Sequence, residues 1–243
     1  MDPSARPRRQ RAYQRGGVPA DVSHAAQDYL REIYKLQADS ERVSTNALAQ
    51  RMGVTPPSAS AMVKKLDALG LAEHALYRGV RLTPAGERIA LEMLRHHRLL
   101  ELYLAQTFEI GIDAVHSEAD RLEHVLSEEL ESRIDEALGR PTHDPHGDPI
   151  PDARLKITRS NTRPLAALEP GEDSTVQSVP DSDEQLLRYL VEISLVPGQT
   201  VTLVHAAPFN GPLTIRINGH ETAISAELAT NVHVMARSRE RRG

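Results

Sequence analysis

The chain contains no cysteine. That absence excludes disulfide scaffolds, thiolate zinc fingers, iron–sulfur clusters and cysteine nucleophiles, so any metal must be held by His, carboxylate, Met or backbone oxygen. No run of residues is apolar enough to span a bilayer. The arginines near the N-terminus, Arg6, Arg8, Arg9, Arg11 and Arg15, are followed by no apolar segment of a secretory signal. The expectation is a cytoplasmic protein. Internal repeats of roughly 20–50 residues are also missing, and no H-E-x-x-H occurs to support a zincin protease. What remains is an ordinary soluble composition, 40% hydrophobic and 26% charged over 243 residues, which exceeds one typical domain and leads us to expect at least two cores.

The formal charge of −5 conceals unlike segments. Residues 1–23 and 24–100 each carry +3, 101–139 carry −9 and 140–243 carry −2. A basic N-terminal portion followed by an acidic block suggests one surface for phosphate and another for cations, although an acidic helix can also be a merely solvated face.

Periodicity organises the chain. Ala26, Leu30, Ile33 and Tyr34 recur at helical spacing after Ser23. Ser44 opens a short helix that Gly53 stops, and Thr55-Pro56-Pro57-Ser58 opens a third that runs to Gly70. Alternating residues around Arg78-Gly79 predict a β-hairpin. Thr83-Pro84 starts a long helix to about Gln106, and a further continuous helix is expected over roughly 114–138, with Val115, Leu122, Val125, Leu126, Leu130 and Ile134 as its apolar stripe. A connector rich in Pro, Asp and Gly follows. Strand patterns then begin near Thr175, Thr200, Leu213, Glu221 and Val232, with one helix among them at Asp183–Ile193, and predict a small barrel-like β domain. The expected parts are a basic arm (1–22), a winged helix-turn-helix (23–83), a helical region (84–139), a connector (140–163), a β domain (164–236) and a basic tail (237–243). The fold class is therefore mainly α with a small β domain.

Short helix, glycine-containing turn, second helix and hairpin is the order of a winged helix-turn-helix, whose second helix enters the major groove. Thr55, Pro57, Ser58, Ser60, Lys64 and Lys65 are the expected DNA-facing residues of that helix, with Arg78 and Arg81 of the hairpin reaching backbone phosphates. A plain helical bundle with solvated lysines is the rival reading, disfavoured by the order of elements and the basic charge.

The acidic block carries His116, Asp120 and His124 at i, i+4 and i+8 with Glu123 alongside, and the preceding helix carries His97 and Glu101 at i, i+4. One such pair is more often a surface contact than a site; this many in adjacent helices favours metal. His143 and His146 could ligate as well, but H-D-P-H-G-D-P reads more naturally as a turn.

With these residues in view the sequence resembles the diphtheria toxin repressor and manganese transport regulator family. The resemblance runs from Ser23 to Met235 through D-Y-L-R-E-I-Y-K-L from Asp28, the helix-turn-helix, L-T-P-A-G, H-R-L-L-E from His97, V-H-S-E-A-D-R-L-E-H from Val115 and H-G-D-P-I-P from His146. It implies an SH3-like C-terminal domain and a homodimer that binds palindromic operator DNA and represses metal-transport genes. It implies a primary metal site of Asp28, Asp120, Glu123 and His124. An ancillary site would use His97, Glu101 and His116, with Glu184 as a further candidate from the SH3-like domain. The glutamate that the manganese branch carries one turn after Asp28 is Arg31 here, which argues against a two-metal cluster of that branch's kind.

The iron branch of that family has methionine and cysteine where this chain has Asp28 and Asp120. Hard carboxylate oxygens suit Mn²⁺, with Fe²⁺ as the alternative because it neighbours Mn²⁺ in the affinity series. A metalloenzyme using the same groups lacks a nucleophile or base beyond the ligands, so no enzymatic activity is expected; a metal-independent DNA-binding protein is the remaining rival.

Overall fold

The computed structural model describes residues 22–236 apart from 39, 76, 77, 159 and 182. The basic arm and tail therefore lie outside the described residues, save Val22. Among the described residues two compact units form, one within 22–97, 123–132 and 151–156, the other within 98–122, 133–150 and 157–236.

The first unit opens with α1 (His24–Leu36), α2 (Thr45–Arg51) and α3 (Pro56–Ala68). Their starts follow local chemistry: Ser44 Oγ accepts from Ala47 N–H and Thr55 Oγ1 from Ser58 N–H, while prolines occupy the first turn of α3 where no N–H is needed. Strands β1 (Ala72–Ala75) and β2 (Gly79–Leu82) pair antiparallel as the wing. Gly79 is obligatory there, since at φ +85° a Cβ would stand 2.3 Å from the Val43 carbonyl oxygen. Leu30, Ile33, Leu48, Val63, Leu66, Leu71, Val80 and Met93 are buried in one core, which fixes α3 and the wing as a rigid pair.

Helix α4 (Pro84–Phe108) is the expected long helix. The continuous helix expected over 114–138 is not formed. The chain instead makes α5 (Val115–Leu122), a 3₁₀ turn at Glu123–Val125, a break, and α6 (Glu128–Ala137). Ser127 restarts the helix by accepting from Leu130 N–H, and Glu128, Glu129 and Glu131 favour its positive end. The apolar stripe also divides: Val115 and Ile134 are buried, whereas Val125 is 72% and Leu130 50% exposed. Arg95 on α4 reaches Glu131 at 2.5 Å, and His96 Nε2 reaches the same carboxylate at 2.8 Å.

The second unit contains a six-stranded antiparallel sheet of order β3-β8-β4-β5-β6-β7, with β3 at Thr162–Pro164, β4 at Asp173–Ser178, β5 at Thr200–Ala206, β6 at Leu213–Ile217, β7 at His220–Ile224 and β8 at His233–Met235. Helices α7 (Glu184–Glu192) and α8 (Ala226–Asn231) complete it. Its core is its own, built on Leu165, Val176, Leu187, Leu190, Val201, Ile215 and Val234. Strand β3 and helix α8 escape sequence reading because each is too short for periodicity to register.

Candidate metal centres and DNA-binding surface

Asp28 sits on α1, immediately before the helix-turn-helix, and Glu123 and His124 sit on the 3₁₀ turn. The first unit brings their donor atoms within 4.8 Å of one another. Asp28 Oδ1 lies 3.0 Å and Glu123 Oε1 3.5 Å from His124 Nε2. A chain of hydrogen bonds sets the tautomer of that imidazole. Gln27 Nε2 donates to the Val22 carbonyl at 3.1 Å, so Gln27 Oε1 is an acceptor and His124 Nδ1–H donates to it at 2.8 Å. Nε2 then faces two carboxylates, a set that a proton bridges in the metal-free protein and that a divalent cation can bridge in its place. His24 stacks on His124 with centroids 4.5 Å apart, holding the ring plane.

Glu123 is almost wholly buried and carries two further partners. Arg31 Nη1 donates to its oxygens at 2.7 and 2.6 Å, and His97 Nδ1 lies 2.7 Å from Oε2. Burial of a carboxylate without such a cation would be costly. In the first unit His97 thus shares Glu123 with the primary set.

In the second unit the fully buried Glu101 lies 2.9 Å from His116 Nδ1 through Oε1, and His116 Nε2 lies 3.7 Å from Asp120 Oδ2. Asp120 is partly exposed on α5, in a different unit from Asp28, Glu123 and His124. Glu184 pairs with Arg188 at 2.8 Å on the exposed side of α7, and none of the three clusters of potential ligands among the described residues includes it. The turn containing H-D-P-H-G-D-P forms as expected, but it is not a surface feature: Asp144 and His146 are buried beside Glu101. Burial, followed by Glu101 and Asp148, pushes the Asp144 carboxyl up to about 7. Burial disfavours charge on His146, but Glu101 and Asp144 outweigh it and raise the imidazole to about 9. Gln27 and Asp144 are the residues sequence reasoning missed. An uncharged amide offers no signal, whereas the H-D-P-H cluster offered one that the turn reading absorbed.

Of the residues expected to face DNA, Thr55, Pro57, Ser58, Lys64 and Lys65 are exposed along one side of α3, whereas Ser60 is half-buried. Thr55 and Ser58 bond each other through their hydroxyls at 2.9 Å, ordering the start of the helix. Arg78 is exposed beside the wing tip. Arg81 is already engaged, its Nε donating to Glu73 at 2.7 Å, so the side chain assigned to phosphate by sequence also braces the wing.

Three family models match consecutive parts of the chain: the iron dependent repressor N-terminal DNA binding domain over 21–80, the iron dependent repressor metal binding and dimerisation domain over 83–152, and the FeoA domain over 163–236. The iron-dependent repressor IdeR of Mycobacterium leprae is 31% identical over 227 residues, covering 88% of this chain and 98% of the relative. Among solved structures, a manganese-dependent transcriptional repressor in complex with manganese matches with TM-score 0.81 and 38% identity, covering 87% of this chain and all of that one. The manganese regulator SloR matches with TM-score 0.74 and 30% identity, covering 87% and 98%. A winged helix, a carboxylate–histidine centre and an SH3-like domain in this order define a class of metal-dependent DNA-binding repressors. The chain belongs to the diphtheria toxin repressor family of that class. Its members are transcriptional regulators, not enzymes. Among the described residues no helix is long and apolar enough to cross a membrane.

Proposed function

We propose that this repressor is activated by Mn²⁺ and binds a palindromic operator as a homodimer, repressing genes of metal transport. The observation that carries the metal reading is the orientation of His124: its Nε2 faces Asp28 and Glu123 because Gln27 engages the other nitrogen. These donors are hard oxygens and one imidazole, and with Asp120, assigned to the same site by family resemblance, they make three carboxylates and no sulfur. That set suits Mn²⁺, with Fe²⁺ as the alternative.

A bound divalent cation supplies positive charge that offsets the mutual repulsion of these carboxylates. Asp28 contributes the tie to α1 and hence to the rigid core holding α3. Glu123 and His124 contribute the tie to the 3₁₀ turn. Holding those elements together selects one arrangement of the DNA-binding surface from a looser set, which is how ligand affinity becomes DNA affinity. Exposed Val125 and Leu130 are apolar area for a second copy, and a two-fold dimer matches a palindromic site.

The test is fluorescence anisotropy of a palindromic promoter fragment with the full chain. Binding should appear on adding Mn²⁺ and vanish with chelator; binding indifferent to chelator would refute activation by metal. For metal choice, Asp120→Cys should lose the Mn²⁺ response more than the anaerobic Fe²⁺ response, and equal loss of both would remove Asp120 as selector.

A further inference from the structure

We propose that the buried cluster of Glu101, Asp144 and His146 is a separate divalent-cation site, formed where the connector turn meets α4 within the second unit. The proposal rests on its own residues and does not require the manganese reading of the primary centre.

His146 has no solvent exposure. Its Nε2–H donates to the Ile112 carbonyl at 2.8 Å, so Nδ1 is the nitrogen open to a cation, which takes the place of the proton that the raised imidazole holds there. That nitrogen has no hydrogen-bond partner and faces Glu101 Oε2 at 3.7 Å, beyond hydrogen-bond reach. Leaving a buried nitrogen unmatched is costly, yet the separation is one that two bonds of about 2.1 Å to a shared cation span. Asp144 supplies the third donor, since one ligand atom from each of the three residues lies within 4.8 Å of the others.

Charge agrees with geometry. Arg98 lies 3.3 Å from Asp144 and 2.6 Å from Asp148. Once a cation has displaced the protons that the raised Asp144 and His146 retain, Glu101, Asp144 and Asp148 against that single guanidinium carry two negative charges, which one divalent ion neutralises. The turn is also built to hold its shape: Asp144 Oδ1 accepts from the N–H groups of His146 and Asp148, each at 2.9 Å. Gly147 (φ +87°) permits the backbone to approach β4 so closely that a Cβ would lie 1.7 Å from the Gln177 carbonyl oxygen. The His146 carbonyl accepts from Val179 N–H at 3.0 Å. An ion on His146 therefore pins α4, through the connector, to the end of β4 in the C-terminal sheet. The site takes Glu101 from the side opposite His116, whose contact is with Oε1.

The experiment is equilibrium dialysis of the chelator-stripped full chain against Mn²⁺, counting bound metal by mass spectrometry. His146→Gln and Asp144→Asn, the latter keeping an oxygen for the two backbone donors, should each bind one equivalent fewer than wild type at saturation, or bind that equivalent at least tenfold more weakly. His116→Gln should retain it, and His124→Gln should lose a different equivalent together with operator binding. Unchanged stoichiometry and affinity in both connector variants would overturn the site and leave His146 a packing residue. Should those variants fail to fold, the ¹⁵N resonance of His146 Nδ1 in wild type decides: it should shift on adding Zn²⁺, and an unmoved resonance overturns the proposal.

Discussion

Arg31 is the residue whose placement most changes the account of the primary centre. Its guanidinium already lies on both oxygens of Glu123, with 8% of its surface exposed. It serves as a resident cation, so the carboxylate is neutralised before any metal arrives, and an incoming ion meets a like charge. Removing it should act in opposite directions on the two states. Arg31→Gln should lower the stability of the metal-free protein by about 3 kcal/mol, the scale of a broken buried pair. It should also tighten Mn²⁺ binding about tenfold by removing the repulsion. Thermal denaturation with chelator and with Mn²⁺, together with calorimetric titration, checks both; weaker Mn²⁺ binding would mean that Arg31 organises the ligands rather than competing with them.

At the scale of elements, α3 and the pairing of α4 with α6 each yield a measurable expectation. Lys64 and Lys65 project from the exposed side of α3, so Lys64→Ala with Lys65→Ala should weaken binding by a similar factor on any sequence. The salt slope should fall by about 2, one for each phosphate that the lysines no longer neutralise; titrations at several salt concentrations read it. The α4–α6 tie is His96 to Glu131. Burial disfavours the charge of each, but the pairing prevails, raising His96 and, together with Arg95, lowering Glu131. A raised histidine contributes stability that is complete below its ordinary value of 6.5 and is lost as pH rises through the folded value. A lowered glutamate contributes stability that is complete above its ordinary 4.5 and is lost as pH falls through the folded value. Both contributions are complete between about pH 4.5 and 6.5. Glu131→Gln should therefore destabilise the metal-free protein most in that window, as melting temperatures across pH would show, and a pH-independent loss would mean the pair is not ionic.

For the whole molecule, separate cores govern what can be removed. The DNA-binding core draws on residues from Val22 to Met93, the C-terminal core on Leu165 to Val234. Truncation after Asp152 should accordingly leave a folded N-terminal portion that still dimerises, with an altered response to metal because the connector turn loses β4. Light scattering and circular dichroism check this, and an insoluble monomer would contradict it.

The sequence by itself determined the elements whose signals are local. Thr55 with its prolines and Ser44 fix the starts of α3 and α2 through caps, and the positive φ that Gly79 permits marks the wing turn, signals that depend on neighbouring residues. It also narrowed the donor chemistry, since a chain without cysteine has no thiolate to offer. Only the tertiary structure decided the rest. The periodicity of 114–138 argues for one helix, and the break at Glu123–Val125 occurs where Glu123 turns inward to Arg31 and His97 and His124 to Gln27, contacts that no local pattern encodes. Which ring nitrogen of His124 and of His146 is already engaged follows from partners distant in the chain, Gln27 and Ile112. H-D-P-H-G-D-P is a turn from either viewpoint, but its burial against Glu101 comes from packing between segments more than forty positions apart. Local chemistry chose which groups can bind a cation, and long-range packing chose which of their donor atoms face one another.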